Sequence, residues 1–288
     1  LLPGGDRGGS ALLYVDPQNS NIVYGWDEGL AKSTDGGQTW TRILRSFEET
    51  MWIQRLAVPP GSPNTLYVAG TRHDAKGCSV LRSNDGGLAW TDVSPRGLPH
   101  NSTVVGLAAQ REGILFLGIN DREFATSGRG RVLPQSSEAT DGWTSRLFAS
   151  YDNGVTWEPL EYGTVEPRFI WSVYVNPWES DEVWISEGPL FNEGIGQPLL
   201  FRSGDNGSTW KDVQINAHGW DSTQVRVIGA SSAGAVYVAA GSNLLVTNDA
   251  GRFFRNITPP RDQMNGVDFF DIEEDVDDIG WLTTILLT

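Results

Sequence analysis

The stretch STDGGQTW, residues 33–40, sets an acid beside two glycines and a hydroxyl residue just ahead of a tryptophan, a combination suited to an active-site loop. Near copies stand at SNDGGLAW (83–90), SYDNGVTW (150–157), SGDNGSTW (203–210) and TNDAGRFF (247–254). A reacting centre is rarely built five times in one chain, whereas a repeat architecture needs the same structural hairpin once per unit. From Trp40 to Trp90, Trp157, Trp210 and Phe254 the successive intervals are 50, 67, 53 and 44 residues.

The residues ahead of each copy also recur in order. In ALLYVDPQNSNIVYGWDEGLAKSTDGGQTW, LLYV is an apolar run, DPQNSN is turn chemistry, IVYGW is a second run and GLAKS a short alternating third, after which WTRIL opens a fourth. RLAVPPGSPNTLYVAG, VGLAAQREGILFLG, VYVNPWESDEVWIS and VIGASSAGAVYVAAG repeat the order. Each unit of about 45 residues therefore reads as a four-stranded antiparallel meander, the size of a propeller blade. A sheet so small cannot cover both its faces; stacking such sheets about an axis covers them and leaves only short edges.

On that reading the quoted box is the hairpin between the third and fourth strands. Asp35, Asp85, Asp152, Asp205 and Asp249 are placed to accept bonds from nearby backbone amides. The glycines at 37, 87, 154, 207 and 251 supply a positive φ, and Ser33 and its equivalents add a hydroxyl bond. Trp40, Trp90, Trp157, Trp210 and Phe254 are expected to bury their rings between neighbouring blades.

The copies fit the pattern S/T-x-D-x-G-x-T-W, and the chain resembles the Asp-box β-propellers. That group includes sialidases, xyloglucan-hydrolysing enzymes, sortilin-type receptors and the photosystem II assembly propellers. The resemblance implies an all-β fold with the whole of 1–288 in one propeller domain. Five units are complete, at about 11–48, 52–96, 102–162, 168–216 and 222–259, and VDFFDIEEDVDDIGWLTTILLT opens a sixth at 264–288. Residues 1–9 would complete that blade with an outer strand, although the Pro and four Gly of LLPGGDRGG disfavour a ladder. The expectation is a six-bladed β-propeller.

Bulk properties remove several function classes. A net charge of −15 opposes binding to nucleic-acid phosphates, which calls for a cationic surface. No run approaches the ~20 apolar residues that span a bilayer. The start, LLPGGDRGGS, lacks the charged-then-apolar pattern of a signal peptide, so an exported protein would be represented by its mature form. Cys78 is the single cysteine, so no disulfide forms within the chain, and His73, His100 and His218 share no motif with it. No His/Cys/carboxylate cluster has metal-ligand spacing, and no phosphate-cradling glycine loop precedes a helix. The acidic DFFDIEEDVDD lacks the Asp-x-Asp-x-Asp-Gly order of a calcium loop. Neither metal nor cofactor is expected.

The parity of the meander locates the functional end. The first-to-second and third-to-fourth turns share one end of every blade, so the second-to-third loops and the links between blades share the other. Loops on a rigid scaffold commonly carry ligand sites. The loops sent to this mouth hold Asp27 in WDEG, Trp52 and Arg55 in SFEETMWIQR, and Arg168 and Trp171 in EYGTVEPRFIW. They also hold Glu187 in SEGPLFNEGIGQP and Trp220 and Asp221 in NAHGWDST, with a long insertion from about Asn120 to Arg146. Sugar rings stack on aromatic faces, and paired carboxylates can protonate and attack a glycosidic bond. Trp52, Arg55, Arg168, Trp171 and Trp220 are therefore candidate ligand-binding residues, and Asp27, Glu187 and Asp221 candidate catalytic carboxylates. Each also has a plainer reading as a solvated loop charge or as a ring packing a loop onto a blade.

Enzymes of the group supply a test. Sialidases carry a Phe/Tyr-Arg-Ile-Pro motif and a tyrosine nucleophile assisted by a glutamate; no such tetrapeptide occurs, and Tyr162 beside Glu161 is the nearest feature. Xyloglucan-hydrolysing relatives place an aspartate in a stretch resembling YARTDIGG, and VYGWDEGLAKS sets Asp27 at a similar point after the second strand. Two readings follow: an extracytoplasmic propeller that binds or cleaves a glycan, or a non-catalytic scaffold or receptor whose mouth binds a protein.

Overall fold

The computed structural model describes residues 13–16, 19–26, 29–45, 51–72, 77–98, 102–122, 143–162, 169–188, 199–215, 225–241 and 243–258. They form an all-β propeller of four-stranded antiparallel blades. Blade 1 is β1 (Leu13–Asp16), β2 (Asn19–Trp26), β3 (Gly29–Ser33) and β4 (Thr41–Arg45). Blade 2 is β5 (Met51–Ala57), β6 (Leu66–Arg72), β7 (Cys78–Ser83) and β8 (Thr91–Asp92). Blade 3 is β9 (Thr103–Ala109), β10 (Leu115–Arg122), β11 (Trp143–Ser150) and β12 (Glu158–Leu160). Blade 4 is β13 (Phe169–Val175), β14 (Val183–Gly188), β15 (Leu199–Ser203) and β16 (Lys211–Val213), and blade 5 is β17 (Val225–Ala230), β18 (Val236–Ala240), β19 (Asn243–Thr247) and β20 (Arg255–Asn256). In each sheet the strands lie in chain order. Five blades are described, not the expected six; the segments assigned to the sixth, 264–288 and 1–9, lie outside the described residues.

The boxes are hairpin clasps, as the sequence implies. Ser33 Oγ donates to Asp35 Oδ1 at 2.7 Å and accepts from Gly37 N at 2.8 Å, while Asp35 takes Thr39 N at 2.8 Å and Thr39 Oγ1 at 2.6 Å. The same bonds close around Asp152 and Asp205, and Asp85 and Asp249 keep their backbone amide bonds where alanine and phenylalanine replace the threonine. Four boxes then dock on the first turn of their own blade. Gly36 N reaches Asn21 O at 3.0 Å, Gly86 N reaches Asn64 O at 2.9 Å, Asn153 N reaches Gly113 O at 2.9 Å and Asn206 N reaches Asp181 O at 3.0 Å. The boxes and first turns thus share one end of the disc, which leaves the other end to the loops.

Core residues lie between blades. Tyr24 and Leu30 of blade 1 pack with Met51, Ile53, Leu66 and Val68 of blade 2, and Trp90 closes this cluster. Tyr67, Ala69 and Val80 pack with Val104, Leu115 and Leu117 of blade 3 beneath Trp157. Blades 3 and 4 meet at Leu147, Ile170 and Ile185 with Trp210 alongside, and blades 4 and 5 at Trp184, Val213, Val227, Val238 and Phe254. Trp90 Nε1 donates to Ile43 O at 3.4 Å and Trp157 Nε1 to Val93 O at 2.7 Å, each bond going to the outermost strand region of the preceding blade.

That region also supplies a knob the sequence did not disclose. The residue three places after each box aromatic (Ile43, Val93, Leu160 and Val213) covers the second glycine position of the next box. A Cβ built on Gly87 would fall 2.7 Å from Ile43 Cβ, one on Gly154 3.0 Å from Val93, one on Gly207 2.9 Å from Leu160 and one on Gly251 2.7 Å from Val213. The glycine is required by neighbour packing as much as by its φ, which is +99° at Gly87.

Candidate functional site

Among the candidates, Glu187, Arg55 and Trp171 lie within the described residues. Asp27, Arg168, Trp220 and Asp221 lie outside them, and for Trp52 only the backbone is described, paired with Thr71 on β5 and β6. The insertion is shorter than expected. β10 and β11 pair as far as Arg122 and Trp143, so Asn120 and Ser145 are ladder partners rather than loop residues.

Glu187 is a strand residue, the last but one of β14, paired with Ile170 on β13 and Leu199 on β15. Its side chain is fully buried and accepts a short hydrogen bond from Tyr162 OH. Tyr162 is itself 8% exposed, just beyond β12 of blade 3, with its ring edge-on to Phe201 at 5.7 Å and to Trp210 at 6.2 Å. The carboxylate therefore joins blade 4 to blade 3. Beside it, Asn120 Nδ2 donates to Ile170 O at 3.1 Å, Ser145 Oγ donates to Asn120 Oδ1 at 2.6 Å, and Ile170 N donates to Ser145 Oγ at 3.1 Å. A buried polar network with its partners in place fixes the geometry of a joint, and here it fixes the mouth ends of β10, β11, β13 and β14.

Trp171 stands at a bulge between Ile170 and Ser172. Its ring lies across the backbone of Gly188: a Cβ there would come 2.0 Å from Trp171 Cζ2, so only glycine permits the stacking. Trp171 is half-buried and sits next to the Glu187 strand end. Arg55 also follows a bulge, between Ile53 and Arg55 on β5. Its Nε donates to Val105 O at 3.1 Å and its Nη1 to Gln54 O at 2.7 Å. Burial, and then the like charge of Arg226, bring its pKa down to about 10. Val105 packs against the cluster of Ile170, Ile185 and Tyr162, so Arg55 is bonded to a strand that borders the joint between blades 3 and 4.

The sequence did not single out Asn120, Ser145, Gln54 or Arg226. Asn120 and Ser145 were read as part of a loop. For Asn120 the signal is alternation within β10, where Leu115, Leu117 and Ile119 set one parity and the buried Asn120 falls on the other, whereas Ser145 continues the parity of Leu147 and Ala149 on β11.

These features are those of an Asp-box β-propeller, with the hairpin clasps at one end of its blades. The BNR/Asp-box repeat family matches residues 31–42. A xyloglucanase of Acetivibrio thermocellus is 26% identical over 249 residues, 74% of this chain and 27% of the relative. A xyloglucanase of Hypocrea jecorina is 25% identical over 230 residues, 71% of this chain and 26% of the relative. The chain spans about a quarter of the length of the curated relatives it matches. Among solved structures, a GH74 enzyme of Niastella koreensis matches with a TM-score of 0.55 at 20% identity, over 84% of this chain and 37% of that one. An α-L-arabinofuranosidase of Fusarium graminearum matches with a TM-score of 0.51 at 17% identity, over 88% and 86%. Both structural likenesses bear on the fold.

Proposed function

We propose that this propeller acts on a plant-type β-glucan such as xyloglucan, binding or cleaving it at the mouth opposite the boxes. The observation that carries the reading is the alignment with xyloglucanases along 74% of the chain. In this proposal Trp52, Trp171 and Trp220 stack on sugar rings, and Arg55 and Arg168 donate to hydroxyls. Asp27 and Asp221 form the acid and base or nucleophile pair, with the carboxylates about 5 to 9.5 Å apart as glycoside hydrolysis requires. Glu187 takes a different part from the one its sequence position suggested. Fully buried and bonded to Tyr162, it holds the strand end on which Trp171 rests. Such glycans occur outside the cytoplasm, and the proposal places the protein there.

We also infer that a sixth blade, 264–288 with a strand from 1–9, completes the ring. Among the described residues Gly37 has no covering knob, its nearest neighbour being Trp40 at 3.6 Å, and Ile257 is a knob with no box glycine to cover. Among the described residues each therefore lacks the partner that its counterparts have at the four described joints, and blades 5 and 1 are not joined to each other in that way.

The experiment is reducing-sugar release from xyloglucan and a panel of aryl glycosides, with binding to the same polysaccharides followed by affinity electrophoresis. Hydrolysis that falls at least ~100-fold in Asp27→Ala and in Asp221→Ala is expected, since such residues supply acid–base catalysis of that order. Hydrolysis that survives both changes would remove the assigned pair. Binding without turnover would leave a glycan-binding propeller. Neither binding nor turnover would favour the alternative, a scaffold with a protein partner.

A further inference from the structure

The joints between blades are built alike, and one of them is incomplete at its box end. In blades 1 to 4 the second strand pairs Val23, Leu66, Leu115 and Val183 with the box serine, and the next residue carries a ring: Tyr24, Tyr67, Phe116 and Trp184. Opposite these rings on the third strand stand Lys32, Arg82, Ala149 and Arg202. Tyr24 OH and Lys32 Nζ both donate to Pro63 O of blade 2, at 3.1 and 3.2 Å. Tyr67 OH donates to Asn153 Oδ1 of box 3 at 3.1 Å, with the Arg82 guanidinium 5.9 Å over its ring, and Arg202 lies 5.8 Å over Trp184. Blade 3 alone of the four offers neither a polar atom on the ring nor a cation beside it, only Phe116 and Ala149.

The consequence falls on box 4. Asn206 holds the place there that Asn153 holds in box 3, with the same left-handed backbone, φ +55° and +64°. Its Oδ1 is buried without a hydrogen-bond partner, and so are Trp210 Nε1 and, reaching across from blade 3, Gln110 Oε1. The joints on either side leave one such atom each, Arg82 Nε and Trp184 Nε1. Trp90 and Trp157 give their indole N–H to the preceding blade, as Trp210 does not. At the box end the joint between blades 3 and 4 keeps Gln110 Nε2 on Glu182 O at 3.0 Å and Glu179 O at 3.4 Å, and an exposed bond from Tyr151 OH to Asn206 O at 3.0 Å. Its mouth end is closed by the Tyr162–Glu187 bond and by Asn120, Ser145 and Ile170. A buried polar group without a partner bears its full desolvation cost, and a region that carries several opens before the rest of the fold. We propose that the joint between blades 3 and 4 is a hinge fixed at the mouth, and that box 4 (203–210) is the clasp that swings free at the other end while the blades stay folded. The hinge is independent of the carboxylates assigned to glycan cleavage.

The test is residue-resolved hydrogen exchange on the full chain under native conditions. The Gly207 and Thr209 amides are bonded within box 4 to Ser203 Oγ and Asp205 Oδ1, each at 2.8 Å, as the Gly154 and Thr156 amides are within box 3 to Ser150 and Asp152. After correction for intrinsic rates, the box 4 pair is expected to exchange at least about tenfold faster than the box 3 pair, the order that unsatisfied buried groups supply. The Ile170 amide, bonded to Ser145 Oγ at the mouth end, stays as protected as box 3. Phe116→Tyr gives box 4 the hydroxyl that Tyr67 gives box 3; it should slow the Gly207 and Thr209 amides toward the box 3 rates and leave those of Gly37 and Gly87 unchanged. Box 4 exchanging no faster than box 3 in the wild type overturns the proposal without any variant. Exchange of Ile170 in step with box 4 overturns the hinge, since the joint would then part along its whole length, and a Phe116→Tyr effect that is absent or equal at every box overturns the assigned cause. Loss of glycan hydrolysis in Asp27→Ala leaves all three measurements untouched.

Discussion

At the scale of the residue, the box aspartates are partly or fully exposed acids whose titration is nonetheless tied to folding. Thr39 hydroxyl and amide donors, with Ser33, bring the Asp35 carboxyl down to about 2. Asp85, Asp152, Asp205 and Asp249 are lowered for the same reason, each by hydrogen bonds within its own hairpin. An unfolded aspartate titrates near 3.9. A group whose folded pKa lies below its unfolded one stabilises fully above the unfolded value, and this is lost as pH falls through the folded value. The clasp is thus whole above about pH 4 and undone toward about pH 2. Urea midpoints measured from pH 5 to 2 should fall less steeply for Asp35→Asn than for the wild type, with the curves converging at the acid end. Parallel curves would mean that the hairpin bonds do not discriminate folded from unfolded chain. This chemistry was legible in the sequence because every partner lies within six residues of the aspartate.

At the scale of the element, legibility stops where partners come from another sheet. Glu187 looked like a mouth carboxylate because SEGPLFNEGIGQP reads as one loop, but β14 extends through Gly188 and strand parity turns the acid into the joint between blades. Gly87 was read as a turn glycine, and the sequence gives no hint that Ile43 of the preceding blade sits on it. The two contributions separate by comparison with Gly97, whose φ is +76° but around which a Cβ would meet nothing within 4 Å. Gly97→Ala should cost about 1–2 kcal/mol for the left-handed backbone. Gly87→Ala should cost about 2 kcal/mol more, from overpacking against a fixed neighbour. Chemical denaturation measures both. Adding Ile43→Ala to Gly87→Ala should recover part of the difference, whereas strict additivity of the two changes would place the strain in the turn alone.

At the scale of the whole molecule, four joints of one design connect five sheets whose apolar residues are buried almost wholly between neighbours. No blade has a core of its own, so a blade that detaches exposes one face of each neighbour as well as its own. A chain built in this way should unfold as one unit, despite its repeats, because nearest-neighbour interfaces rather than intrinsic blade stability hold it together. Leu160→Ala tests this in the middle of the ring, since Leu160 covers Gly207 and borders the clusters joining blades 3 and 4. The expected loss is about 2–3 kcal/mol, typical of truncating a leucine that is not fully enclosed. Near-ultraviolet dichroism, which reports the interfacial tryptophans, and far-ultraviolet dichroism, which reports the strands, should shift to lower denaturant together and remain superimposable. If the near-ultraviolet transition instead separates and precedes the other, the blades hold their strands without their neighbours, and the joints are contacts between independent sheets.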